Sequence, residues 1–107
     1  MDCSRKYGNA GCNGGLETNA FKYVRDSGIG YDDDYPYTQK DGTSCKSTPR
    51  VFHIKTYEDV PNGISYVQNA LLEMPLSVGV DATNWNRYSS GVFSDCGTRI
   101  NHGVELV

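Results

Sequence analysis

Only two histidines, His53 and His102, occur in the 107 residues, and no two of the four cysteines, Cys3, Cys12, Cys45 and Cys96, form a C-x-x-C pair. A zinc ribbon, which closes on ligands at short paired spacing, and a thioredoxin-like redox site are therefore disfavoured. No metal and no other cofactor is expected. The chain also lacks a Walker loop, an EF-hand and an H-E-x-x-H string, and Gly28-Ile29-Gly30 runs on into Tyr31-Asp32-Asp33 without completing a dinucleotide fingerprint. No apolar run approaches the roughly 18 residues that a membrane-spanning helix needs. Nor is there a basic stripe: the 10 Lys and Arg stand singly against 13 Asp and Glu, and the net charge is −3. Neither a nucleic acid nor a membrane is expected as a partner.

Leu, Ile, Val and Phe supply 21 of the 107 residues, at the edge where composition stops promising a self-sufficient core. Eight tyrosines and Trp85 argue against plain disorder. The length allows one small domain or a piece of a larger one. Met1-Asp2-Cys3-Ser4-Arg5-Lys6 has no apolar stretch of the signal-peptide kind, so any targeting segment is expected outside the chain. The cysteines fit disulfides in an oxidising compartment; four cysteines allow three pairings, and spacing alone does not choose among them.

Four glycines fall in the eight positions from Gly8 to Gly15, which predicts a loop that lets another chain approach its backbone. Apolar residues at Leu16, Ala20, Phe21, Tyr23 and Val24 follow a helical period, with Ser27-Gly28 as a stop, and predict a helix over about 17–26. Residues 31–47 carry aspartates, Tyr35-Pro36-Tyr37 and Asp41-Gly42, the chemistry of a structured loop with aromatic anchors, clamped by a disulfide. Val51-Phe52-His53-Ile54 reads as a strand, with His53 structural, and Ile64 to Glu73 as a second helix that stops before Pro75. Leu76 to Ala82, Gly91-Val92-Phe93 and Val104 to Val107 are three short strand candidates. The fold class is α+β, a helix-rich first part followed by antiparallel strands.

Four strings carry a resemblance when taken together and in order: Asp2-Cys3-Ser4, Gly11-Cys12-Asn13-Gly14-Gly15, Tyr35-Pro36-Tyr37 and Asn101-His102-Gly103-Val104. Between them lie Asn19-Ala20-Phe21-Lys22-Tyr23-Val24, Ser77-Val78 ahead of Asp81-Ala82, and Tyr88-Ser89-Ser90-Gly91-Val92. The chain resembles the papain family of cysteine proteases, closest to the cathepsin L and K group, along essentially its whole length. The resemblance implies part of a two-lobe fold: residues 1–50 from the helical lobe, with the glycine-rich substrate-binding loop, and 51–107 from the β-rich lobe, ending just after a catalytic-type histidine. It implies a peptide or protein substrate and a lysosomal or secreted setting for the parent enzyme.

By the same resemblance His102 corresponds to the histidine that pairs with a cysteine thiol and later protonates the leaving amine. Gly14 and Gly15 correspond to a ridge along which an extended peptide pairs with backbone groups. Leu16, Glu17, Gly79, Ile100 and Asn101 correspond to further substrate-binding positions, the first four lining the family's pocket for the substrate's second residue before the cut. Glu17 departs from the usual nonpolar residue, so either the pocket favours a basic side chain or the position faces solvent. The resemblance also implies that Cys3 pairs with Cys45 and that the partners of Cys12 and Cys96 fall outside the chain.

The family's nucleophile sits in a Cys-Gly-Ser-Cys-Trp type string, roughly 130 to 150 residues before its histidine; no cysteine here is followed by Trp or Tyr, and no asparagine follows His102. The expectation is an internal piece of such an enzyme, inactive alone, and completed by the missing N-terminal segment or by self-association. Glu105 alternates with Val104 and Leu106 and suits a strand with one wet face. With Glu17, Met1 and the blunt ends it suggests an excised, altered piece. The alternatives are a non-enzymatic module, engineered or natural, used for protein binding or immune recognition, and a pseudoenzyme whose full chain lost its cysteine.

Overall fold

The computed structural model describes every residue except Thr43, which falls in the turn-rich segment expected over 31–47. The described residues divide into two compact units, Met1–Asp59 and Val60–Val107.

In the first unit, Asp2–Tyr7 forms a 3-10 helix ending at Gly8 (φ 105°), and Glu17–Ser27 forms the α-helix α1. The periodic face predicted for α1 turns Tyr23 inward, where it is the only buried apolar side chain among the described residues. The Tyr7 ring meets it edge to face at 6.0 Å, and the Arg50 guanidinium lies over it at 5.6 Å. Phe21, on the neighbouring part of the face, stacks on Tyr57 at 5.8 Å. The helix stops at Gly28 (φ 71°), whose N–H still reaches the Val24 carbonyl. A Cβ at Gly28 would come within 2.5 Å of the His53 ring. The structural role expected of His53 is thus a packing one: its imidazole fills the space that a glycine leaves.

The aspartates of the loops act as staples. Asp2 accepts from the Gly42 N–H at 2.8 Å and from the Tyr35 hydroxyl at 2.9 Å; Asp41 accepts from the Cys12 N–H at 2.7 Å and pairs with Arg5 at 3.0 Å. These charge-assisted bonds, shorter than neutral ones, tie the 41–42 turn to the 3-10 helix. Cys3 and Cys45 close the same loop covalently, with Cα atoms 4.6 Å apart, as the family resemblance implied. The strand expected over Val51–Ile54 is reduced to one bridge between Ile29 and Phe52. A strand needs a neighbouring backbone to pair with, and among the described residues only Ile29, held between Gly28 and Gly30, pairs with this stretch.

In the second unit, Ile64–Leu71 forms α2, two residues shorter than the periodicity predicts. Glu73 and Met74 both donate to the Ala70 carbonyl, a tightened last turn that lets the chain leave the helix before Pro75, whose ring disfavours a helical residue ahead of it. Strands β1 (Leu76–Val80) and β2 (His102–Leu106) pair antiparallel, with Val78 opposite Val104 and Val80 opposite His102. Successive residues face opposite ways, so Leu76, Val78, Val104 and Leu106 share one half-buried face, and Glu105 lies opposite Ser77 on the exposed one. The wet face expected for Glu105 is present. Gly91-Val92-Phe93 is not a strand: the Tyr88 hydroxyl donates to the Gly91 carbonyl at 2.8 Å and the Tyr88 and Phe93 rings meet edge to face, folding the segment on itself. The architecture is α+β, helices with a two-stranded antiparallel sheet.

Candidate functional site

The residues singled out by sequence fall into two groups, one in each unit. In the first, Gly14, Gly15 and Leu16 are consecutive and exposed, and Glu17 is the first residue of α1. Gly14 has φ 102°, a conformation that L side chains rarely adopt, and its N–H and C=O bond to the Gly11 carbonyl and the Ala10 N–H. Gly15 differs. Neither of its backbone groups has a hydrogen-bond partner among the described residues, which leaves them available to an extended chain. The glycine requirement at 15 also arises from within: a Cβ there would come within 2.4 Å of Asn9 Oδ1, because the Asn9 carboxamide crosses behind the ridge to accept the Leu16 N–H at 2.8 Å. Asn9 is held in turn by the Ser4 hydroxyl at 3.0 Å. Glu17 places a carboxylate in the first turn of a helix with no side-chain cap, where the helix dipole favours a negative charge.

In the second group, His102 opens β2 with an exposed imidazole, neither ring nitrogen bonded among the described residues. Its ring meets Trp85 edge to face, 5.7 Å between centroids at 89°. Asn101, just before it, is fully engaged: Oδ1 accepts the Ala82 N–H at 2.9 Å, Nδ2 donates to the Thr83 hydroxyl at 3.0 Å, and the backbone N–H donates to the Val80 carbonyl at 3.0 Å. Its side chain therefore orders the turn rather than reaching outward. Gly79 lies against Ile100, whose Cγ2 a Cβ at 79 would approach to 2.7 Å. Both line a cavity of about 640 Å³, together with Trp85, Tyr88, Phe93 and Cys96. Such a concave, mostly apolar wall beside an imidazole suits an apolar part of a ligand. A second cavity of about 430 Å³, in the first unit, is lined by Cys3, Tyr23, Tyr31, Tyr35 and Tyr37 and by none of the candidate catalytic or substrate-binding residues.

Sequence reasoning missed Asn9, Thr83 and Trp85, and it saw Asp81 only as part of a string. The legible signal for the 81–83 turn was Asp81 followed two residues later by Thr83, side chains that bond nearby backbone; Trp85 and Asn9 carry no local signal. Cys12 and Cys96 are unpaired. At Cys12, desolvation and then the hydrogen bond and charge of Asp41 push the thiol pKa up, the opposite of what a nucleophilic thiolate needs. No group of three or more metal-ligating side chains occurs among the described residues.

Likenesses to known proteins bear on this geometry. The family described as papain family cysteine protease matches residues 1–107. Cathepsin L 2 of Paramecium tetraurelia is 46% identical over 108 residues, covering 100% of this chain and 34% of that protein, and Cathepsin L 1 of the same organism is 44% identical with the same coverage. Cysteine proteinase 4 of Dictyostelium discoideum is 40% identical over 116 residues, 100% of this chain and 26% of that protein. The chain spans about a third or less of the length of these curated relatives.

Proposed function

Because the chain belongs to the papain family of cysteine proteases, we propose that it supplies the histidine half of a thiol–imidazole pair, with two stretches of the substrate cleft, to a peptide-hydrolysing enzyme of greater length. His102 takes the proton of a cysteine thiol carried elsewhere in that longer protein and returns a proton to the leaving amine. Gly14 and Gly15 form the edge along which an extended peptide pairs, Leu16, Glu17, Gly79 and Ile100 contribute to the pocket for the substrate's second residue before the cut, and Asn101 holds the turn beside the imidazole. The observation that carries this reading is His102 itself: an exposed imidazole at the head of β2 with neither nitrogen bonded among the described residues, next to an Asn101 carboxamide that is already engaged. Cys12 is not assigned as that thiol: it sits against the Asp41 carboxylate, which disfavours a thiolate.

A lysosomal or secreted setting for the longer enzyme agrees with the Cys3–Cys45 bridge, since disulfides persist in oxidising compartments. Ile64 of α2 and Leu72 just beyond its end are 76% and 85% exposed, apolar surface that the rest of a longer chain, or a second copy of this one, would cover. Sedimentation of the isolated chain tests the second copy, which a strictly monomeric species rules out.

The main test replaces the matching 108-residue segment of Paramecium Cathepsin L 2 with this chain. The chimera is expected to hydrolyse a peptide substrate, and His102→Ala to lower kcat by a factor of at least about a hundred. The chain alone is expected to hydrolyse none. A folded chimera without activity, or one indifferent to His102→Ala, overturns the reading.

A further inference from the structure

Asp81 stands one residue beyond β1, and both of its carboxylate oxygens are in use. One accepts the Thr83 N–H at 3.0 Å and the Thr83 hydroxyl, and the other accepts the Arg99 N–H at 2.8 Å. The Thr83 hydroxyl accepts in turn from Asn101 Nδ2, and Asn101 Oδ1 accepts the Ala82 N–H. Residues 81–83 and 99–101 are thereby tied together by five side-chain hydrogen bonds that share one carboxylate, one hydroxyl and one carboxamide. The tied piece leads directly into the two aromatic rings that meet. On one side it runs into Trp85, whose backbone N–H donates to the Ala82 carbonyl at 3.1 Å; on the other it runs into His102. Gly97 keeps the space behind the carboxylate open, since a Cβ there would strike Asp81. The hydrogen bonds from Thr83 and Arg99 hold the Asp81 pKa below the usual carboxylate range, so the accepting form is the one present near neutrality.

We propose that Asp81 is a positioning residue for His102, fixing the imidazole against the Trp85 ring through Thr83, Arg99 and Asn101. The carboxylate touches neither the imidazole nor any reacting atom. Its effect is on where the ring stands, and an imidazole that shuttles protons between a thiol and an amine gains most from a fixed position. The proposal rests on the reading of His102 as the catalytic imidazole, but its test uses no catalysis, so failure of one is told apart from failure of the other.

The probe is the ring-current shift that the Trp85 indole imposes on the His102 ring protons, read by NMR on the 107-residue chain. Amide exchange of Val78 and Val104 reports the β1–β2 pairing in parallel. In Asp81→Leu the Trp85-dependent shift is expected to vanish while Val78 and Val104 stay protected. Asp81→Asn, which keeps one accepting oxygen, is expected to restore part of it, and Trp85→Leu, which removes the indole, identifies the source of the shift. A full shift in a folded Asp81→Leu chain overturns the proposal. If Asp81→Leu loses the sheet, Thr83→Val decides, because it removes only the hydroxyl links: a reduced shift with the sheet intact supports the proposal, and an unchanged shift or a lost sheet overturns it. Loss of the shift in Asp81→Leu alongside an inactive chimera would keep the positioning role and discard the catalytic one.

Discussion

Removing the Cys3–Cys45 bridge is the sharpest perturbation of the first unit, because so little else is buried there. The bridge joins positions 42 residues apart, and in the chain-entropy account closing a loop of that length stabilises the folded state by about 4 kcal/mol. That is about a thousandfold in the folding equilibrium and a large share of the total stability of a typical domain. The non-covalent staples over the same loop do not replace it. Arg5–Asp41 is an ion pair between side chains more than a third exposed, of a kind that contributes at most about 1 kcal/mol, and Tyr23 is the only buried apolar side chain among the described residues. In Cys3→Ala/Cys45→Ala the amides of α1 around Tyr23 and Val24 are therefore expected to exchange up to about a thousandfold faster, read by hydrogen exchange and mass spectrometry under native conditions. Exchange within about threefold of the unaltered chain would refute the argument, showing that α1 and the 3-10 helix hold together by packing that the buried area does not reveal.

Two further outcomes follow from the staples and the ridge. Asp2, Asp41 and Asp81 have pKa values lowered by the hydrogen bonds they accept, from Gly42 and Tyr35, from Cys12, and from Thr83 and Arg99; a lowered folded value contributes stability that is fully present above the unfolded value near 3.8 and is lost as pH falls through the folded values, so circular dichroism should show unfolding setting in below about pH 4 and none attributable to these groups between pH 5 and 7. Gly15→Ala sets a methyl group against the Asn9 carboxamide and is expected to destabilise the chain by about 1–3 kcal/mol in urea unfolding, with part of the loss recovered when Asn9→Ala is added; a neutral Gly15→Ala would mean that Asn9 swings aside freely.

The elements that sequence periodicity reaches are those whose pairing is local or whose burial is one-sided. α1 and α2 repeat apolar residues every three or four positions, and β1 and β2 alternate Leu76, Val78, Val80 and Val104, Leu106, patterns legible without any partner. The stop before Pro75 and the wet face at Glu105 were readable for the same reason. The Cys3–Cys45 pairing was not; among three connectivities only the family likeness picked it. Val51–Ile54 has strand composition but a single bridging residue, Ile29, as partner, and Gly91-Val92-Phe93 is turned back by the Tyr88 hydroxyl. Strand propensity describes a surface that fits a sheet and does not supply the neighbouring strand.

The candidate site divides along the same line. His102, Gly14 and Gly15 carry their signal in adjacent letters, and the sequence by itself determined the fold class, the cysteine-protease likeness and which histidine we propose as the one that bears the chemistry. Only the tertiary structure decided why Gly15 is a glycine, through Asn9 six positions earlier, and what holds His102, through Trp85 and an aspartate 21 positions upstream. A hydrogen bond or ring contact between residues distant in sequence leaves no period and no local composition behind. It exists only once the backbone has brought the two ends together.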